Sequence, residues 1–272
     1  MPNIKEQPIS TIDDITIFLK RREYDPDIKG YRAPYLYRGL PNDTYRLTTT
    51  LSRNCKNKQH ILEESILRNF TKYAMINDPA LAESKWRQMI MGQHHGLPTR
   101  ILDWFYSSLV ALHFATSSEA AADLDQHNGV VWEIDIEELN HLLPERYQEE
   151  LRKEHAHLFT VKMLEKVVQE LSQYDSDMRD SAMLLLEPSS IDSRIVNQYS
   201  FFSLVPKNIA NVEDFLENHT KHTTKYIIDR TLRRELREML DQMNINERML
   251  FPGLDGTAKW IARHFYVSEE NA

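Results

Sequence analysis

Met91-Gly92-Gln93-His94-His95-Gly96-Leu97-Pro98-Thr99-Arg100-Ile101-Leu102-Asp103-Trp104 is the stretch around which the chain is organised. Six hydrogen-bonding or ionisable side chains share it with Gly96, Pro98 and Trp104. A plain surface loop does not need this mixture, and a core helix does not tolerate it. Gly96 and Pro98 interrupt a helical pattern, and Pro98 biases Leu97 away from helical geometry. The pattern predicts that a helix resumes near Asp103 or Trp104, with Asp103 as its N-cap, and runs to about residue 123 through Leu109 and Leu112.

Upstream, residues 80–92 predict a helix with Trp86 and Ile90 on its apolar side. Residues 58–75 predict a longer one with Leu62, Ile66, Phe70 and Tyr73 on one face. Tyr35-Leu36-Tyr37-Arg38-Gly39-Leu40 favours a strand, stopped by Pro41-Asn42-Asp43. Arg38 then sits at the last turn of an extended segment, where a guanidinium can hold a phosphate or a carboxylate. A structural ion pair with a nearby acid is the competing reading. Residues 10–20 predict a short helix.

Downstream, Val130 to Ile136, Ala182 to Leu186, Ser193 to Leu204 and Lys225 to Asp229 contain or lead into strands. Residues 136–175 read as a charged helical insertion broken at Pro144. Residues 211–218, 230–243 and 257–266 predict helices. In the middle one, Leu232, Leu236 and Leu240 point inward, and Arg230, Arg233, Arg234 and Arg237 form a solvated, salt-bridged face. The total is about eight helices and five or six strands without regular alternation. An α+β fold follows, one domain over 1–272 with a small mixed or antiparallel sheet surrounded by helices and with 136–175 inserted.

Composition narrows the function classes. The formal net charge of −8 disfavours general attraction to nucleic acid. A single cysteine, Cys55, allows no intrachain disulfide and fits a reducing, cytoplasmic setting. The start has no apolar signal core, and no run approaches the roughly 20 apolar residues of a membrane span. No membrane association is expected.

Three chemistries compete for the central stretch. Adjacent His94 and His95 point in different directions and lack the spacing of a zinc pair, so no metal is expected. Either histidine can serve as a general acid or base, or be a core histidine satisfied by backbone. A nucleophile elbow, a P-loop and a G-x-G-x-x-G are absent from the sequence. Anion binding fits best: Thr99, Arg100 and Asp103 at a helix N-terminus, with Arg38 joining from its strand, suit a nucleotide or dinucleotide. Alternatively Arg100 and Asp103 pair with each other and lock the loop.

Tyr37-Arg38-Gly39, Leu51-Ser52-Arg53, the Gln93–Trp104 block and Leu109-Val110-Ala111-Leu112-His113-Phe114-Ala115 together resemble the FRG domain family, named for a Phe/Tyr-Arg-Gly motif. Arg194-Ile195 with Gln198 and Phe202, and Leu250-Phe251-Pro252-Gly253-Leu254-Asp255-Gly256, resemble its later motifs. Two departures stand out. Phe105-Tyr106-Ser107 replaces a more usual Thr-x-Ser or Thr-x-Pro, and Tyr199 follows Gln198 where a Gly is usual.

The resemblance implies a bacterial protein with a nucleotide pocket. Arg-Gly on an early strand is similar to the NAD-binding arginine of one ADP-ribosyltransferase class. In that reading Arg38, Gly39, Ser52, Arg53, Gln93, Thr99 and Arg100 bind the ligand, with NAD as the cofactor. Thr49, Thr50 or Ser52 lines the nicotinamide ribose, and His94, Asp103 and Gln198 form the catalytic set. Gln198-Tyr199-Ser200 supplies only the first member of a Q-x-E signature. A toxin or phage-defence setting is implied. A second class is a non-catalytic sensor recognising a nucleotide signal or a protein partner. A third is a nuclease or phosphodiesterase using His94, Asp103 and Arg100, disfavoured by the acidic charge.

Overall fold

A computed structural model describes residues 3–265 except 21–22, 27–28, 33, 77, 118–125 and 189–192. Seven strands form one mixed sheet: β1 (Lys5–Ile9), β4 (Tyr35–Leu40), β5 (Ile101–Phe105), β6 (Gly129–Asp135), β7 (Leu184–Leu186), β8 (Ser200–Leu204) and β9 (Thr224–Ile228). Their order is β1-β9-β6-β4-β5-β8-β7. Only β1 against β9 is parallel; the other neighbours are antiparallel. β2 (Glu23–Asp25) and β3 (Gly30–Arg32) pair separately as a small ribbon. The fold is α+β. Among the described residues nine strands and fourteen α-helices are formed, more of each than the periodicity of the sequence predicts, because many helices are short.

Side-chain alternation divides the sheet into two faces. Leu36, Trp104, Trp132 and Ile134 lie on one face, packed with Phe215 and Leu216 of α11 (Val212–His219) and Leu139 of α6 (Ile136–His141). The other face carries two distinct cores. One joins Tyr37, Val131 and Tyr226 to Phe18 of α1 (Ile12–Leu19), Ala111 of α5 (Ser108–Ala115) and Leu236 of α12 (Arg233–Gln242). The other joins Ile101, Leu184 and Phe202 to Leu67 of α3 (Gln59–Ala74) and Ile90 of α4 (Lys85–His94). Tyr147 of α7 (Glu145–Glu154), Leu164 of α8 (Val161–Val167) and Tyr174 of α9 (Leu171–Met178) complete that core. Helices α6 to α9 and the turns between them occupy 136–175 and supply much of that core.

Three local expectations are corrected. The helix predicted from Asp103 is strand β5; the next helix, α5, starts only at Ser108 after Ser107. Ile101, Leu102, Trp104 and Phe105 are buried on both sides of a central strand, so Asp103 interrupts a run rather than starting a helix. On α3 the buried residues are Glu63, Leu67 and Thr71, while Leu62 and Tyr73 are exposed. The helix has turned its carboxylate inward to meet Arg100, as described below. On α12, Arg233 and Arg237 are buried rather than solvated. Arg233 Nη1 donates to the carbonyl of His127 at 2.8 Å, and Arg237 joins Glu247 of α13 (Glu247–Leu250).

The seam in the sheet positions the candidate site. β4 pairs with β6 at six residues from Tyr35 to Leu40, but with β5 only at Tyr37 against Phe105. Beyond that pair the two strands part. Asp103 lies there, between Ile101 of one core and Phe105 of the other on the same face.

Candidate functional site

Sequence dictates how the central stretch reaches the seam. Helix α4 ends in a Schellman arrangement: Leu97 N–H donates to Gly92 C=O at 2.8 Å and Gly96 N–H to Gln93 C=O at 3.1 Å. Gly96 occupies the left-handed position, with φ of +80°. Gly92 packs against Leu97, whose Cδ2 would have to move aside for a Cβ at residue 92, 2.7 Å away. The turn leaves Gln93 and His94 on the last turn of α4 and sends Thr99 and Arg100 into β5.

A relay of side chains crosses the seam. Thr99 Oγ1 donates to Gln93 Oε1 at 2.5 Å, and Gln93 Nε2 donates to Asp103 Oδ2 at 3.0 Å. Arg38 Nη1 donates to the main-chain carbonyl of Asp103 at 2.6 Å and lies 3.8 Å from its Oδ2. Arg38 Nε is buried and has no hydrogen-bond partner among the described residues. Burial pushes the Arg38 guanidinium below its ordinary value; Asp103 pulls the other way, and the nearby positive charge of Arg53 adds to the depression.

Arg53 is set by α2 (Thr50–Cys55). Thr49 caps this helix, accepting from Ser52 N–H at 3.1 Å, and Leu51 N–H donates to Thr99 C=O at 3.0 Å. Arg53 donates to Thr48 C=O and, at 3.2 Å, to Thr50 Oγ1. Helix α2 is thus tied to the central stretch, and Arg53 is an exposed cation whose charge is felt at Arg38.

Not every residue singled out in the sequence belongs to this cluster. Arg100 is buried and committed to acidic partners: its Nε donates to Glu63 Oε1 at 2.6 Å, Nη1 to Asp175 Oδ1 at 2.6 Å, and Nη2 to Glu63 Oε2. Burial opposes its charge, but the bonds to Glu63 and then Asp175 outweigh that and raise its pKa above the ordinary arginine value. Arg100 and Asp103 do not enter a helix N-terminus, and Arg100's acidic partners are Glu63 and Asp175 rather than Asp103.

Gly39 faces α5, where a Cβ would come within 1.9 Å of Ala111 O; its role is close packing. Ser52 supplies its N–H to the cap of α2. Gln198, at the end of α10 (Ser193–Gln198), is buried; its Nε2 donates to Leu250 C=O at 3.0 Å and its Oε1 accepts from Ser200 Oγ at 3.3 Å. His94 is half-buried, its ring 5.0 Å from that of the exposed His95. Thr49 is buried as the α2 cap.

Residues 33–124 match the FRG domain family. The chain carries an FRG domain. The matched residues hold Arg38, Arg53, Gln93, Thr99 and Asp103, so the whole relay at the seam lies inside the FRG domain. The later motifs around Arg194 and Leu250 lie beyond it. No curated protein and no solved structure matches the chain. No helix among the described residues is long and apolar enough to cross a membrane, and no three metal-ligating side chains are gathered there to hold an ion.

Proposed function

We propose that the seam between β4 and β5 is the phosphate-binding site of a nucleotide or dinucleotide pocket, and that NAD is its ligand in an ADP-ribosyltransferase-like reaction. The observation that carries this is Arg38. One of its nitrogens is tied to Asp103, another is buried with no partner among the described residues, and the positive charge of Arg53 acts on it. A buried guanidinium with a free donor, under the positive charge of Arg53 and offset by the Asp103 carboxylate alone, is best satisfied by an added anion. A diphosphate supplies that charge and its acceptors.

Asp103 is the carboxylate at this seam, oriented by Gln93 and Thr99. In the transferase reading, nicotinamide leaves with the electron pair of its bond to the ribose, and Asp103 opposes the positive charge that develops on the sugar. The acceptor then bonds to the ribose carbon and loses its proton, with His94 on the adjoining helix end as the candidate base. One observation favours the second reading, a sensor that binds without turnover. The Gln198 amide, assigned to orient ribose or acceptor, is engaged by Leu250 and Ser200.

Calorimetric titration with NAD, ADP and pyrophosphate, alongside an assay for released nicotinamide, tests both. Binding that Arg38→Ala abolishes, with nicotinamide release by the parent, supports the transferase. Binding without release supports the sensor. A parent chain that takes up none of the three ligands overturns the phosphate-binding site itself.

A further inference from the structure

We infer that Tyr106 and Tyr199 form the surface on which the planar base of the ligand stacks, an inference resting on the phosphate-binding reading above. The β5–β8 ladder ends at Phe105 against Ser200, and the next backbone bond, Tyr106 N–H to Tyr199 C=O at 3.2 Å, sets the two tyrosines opposite each other. Both are solvent-facing, 43% and 57% exposed, with ring centroids 5.5 Å apart and planes tilted by 56°. Tyr199 also leans edge-on against Phe201 at 5.9 Å, which fixes one side of its ring.

The backbone of Tyr199 makes the case for a role. Its φ is +51°, the left-handed region that a bulky L-residue occupies at a cost and that glycine or asparagine occupies readily. The strain is held from both sides. Asn197 Nδ2 and Gln198 Nε2 donate to consecutive carbonyls, Met249 at 2.7 Å and Leu250 at 3.0 Å, and strand β8 begins at Ser200. A strained, exposed aromatic side chain that does not fill the core is a recognition element in waiting.

Tyr199 stands where the FRG pattern more usually has Gly, and the structure sets it against Tyr106, which follows Phe105 at that pattern's variable position. Tyr106 lies just past the end of β5, three residues from Asp103, roughly 10 Å at the rise of an extended chain. A ligand whose phosphates lie at Arg38 and Arg53 can therefore extend its base toward the tyrosine pair.

The test compares ADP with inorganic pyrophosphate by calorimetric titration of the full chain. Tyr106→Ala and Tyr199→Gly should each weaken ADP binding by about 5- to 100-fold, the effect of losing one stacking partner, and leave pyrophosphate binding unchanged. Tyr106→Phe and Tyr199→Phe should retain parental ADP affinity. Tyr199→Gly relieves the left-handed strain, so its melting temperature should be no lower than the parent's, which separates lost recognition from lost folding. If Arg38→Ala weakens both ligands while the tyrosine variants leave the ratio of ADP to pyrophosphate affinity unchanged, the stacking surface is overturned and the phosphate site stands. If the parent binds neither ligand, both fall.

Discussion

Arg38 Nη1 reaches the main-chain carbonyl of Asp103 at 2.6 Å, just past the single register pair that joins β4 to β5. The arginine side chain thereby satisfies a carbonyl beside the parted strands and closes the seam with a charged group. Arg38→Ala should lower stability by about 1–3 kcal/mol, the scale of a charge-assisted hydrogen bond whose acceptor is left behind. Arg38→Lys should recover only part of it, because an ammonium cannot present the planar fork. Urea melts of the three proteins check this. A stability of Arg38→Ala equal to the parent's would show that the seam does not depend on this bond.

Arg100 predicts the opposite balance between stability and ligand binding. It sits with Glu63 and Asp175 in a buried charge cluster, so removing one member strands the others away from water. Glu63→Ala should cost about 3–5 kcal/mol. Replacing Arg100 and Glu63 together by Met should cost less than the two single changes summed, because no unpaired charge remains of that pair. Ligand titration of whatever fraction stays folded should give the parental affinity. A ligand defect specific to Arg100 variants at full stability would return Arg100 to the binding site.

The contrast between Arg38 and Arg100 shows what the sequence makes legible. The strand bearing Arg38 and the break at Gly96-Leu97-Pro98 are local features, written in β-propensity and in turn chemistry. The partners of Arg100 are 37 and 75 residues away, and no local pattern announces them. The same cause inverted the face of α3. Apolar spacing favours Leu62, Ile66, Phe70 and Tyr73, but a buried guanidinium needs Glu63, and the ion pair dictates which side turns inward. Asp103 misled for a different reason: an N-cap and a lone polar residue in a central strand look identical until the pairing partners, β4 and β8, are known.

A second buried network predicts a pH dependence for the fold. His113 Nδ1 accepts from Arg237 Nη1 at 2.9 Å; burial first, and then the charge of Arg237, push its pKa down to about 3 from 6.5. Between pH 6.5 and 3 the unfolded chain takes up a proton that folded His113 refuses, so stability falls as pH drops through that window. Glu247 acts lower. Burial raises its pKa, but bonds from Arg263 and the charge of Arg237 win and bring it down to about 2 from 4.5. Its stabilisation, about 3 kcal/mol by that shift, is complete above pH 4.5 and fades as pH falls toward 2. His113→Gln should therefore flatten the stability profile between pH 6.5 and 4.5. Glu247→Gln should be less stable at pH 7 and converge with the parent below pH 4.5. Parallel profiles for all three proteins from pH 7 to pH 3 would exclude this network as the source of acid sensitivity.

Gly39 separates the two halves of the Arg-Gly motif. Arg38 and Gly39 are adjacent on β4 and point to opposite faces of the sheet, one beside Trp132 at the seam and the other under α5. A Cβ at residue 39 would sit 1.9 Å from Ala111 O and 2.7 Å from Ala115 N, both backbone atoms that no rotamer change can move. Helix α5 would have to lift from β4, opening the core that contains Tyr37, Val110 and Ala111. Gly39→Ala should thus destabilise by about 1–3 kcal/mol or more, the penalty of overpacking. Its folded fraction at low temperature should still bind ADP with parental affinity, whereas Arg38→Ala should lose that affinity. Calorimetric melts and titrations on the pair decide the matter. If Gly39→Ala kept its melting temperature and lost only ADP, the glycine would be a point of backbone approach to the ligand, and its place beneath α5 would be incidental.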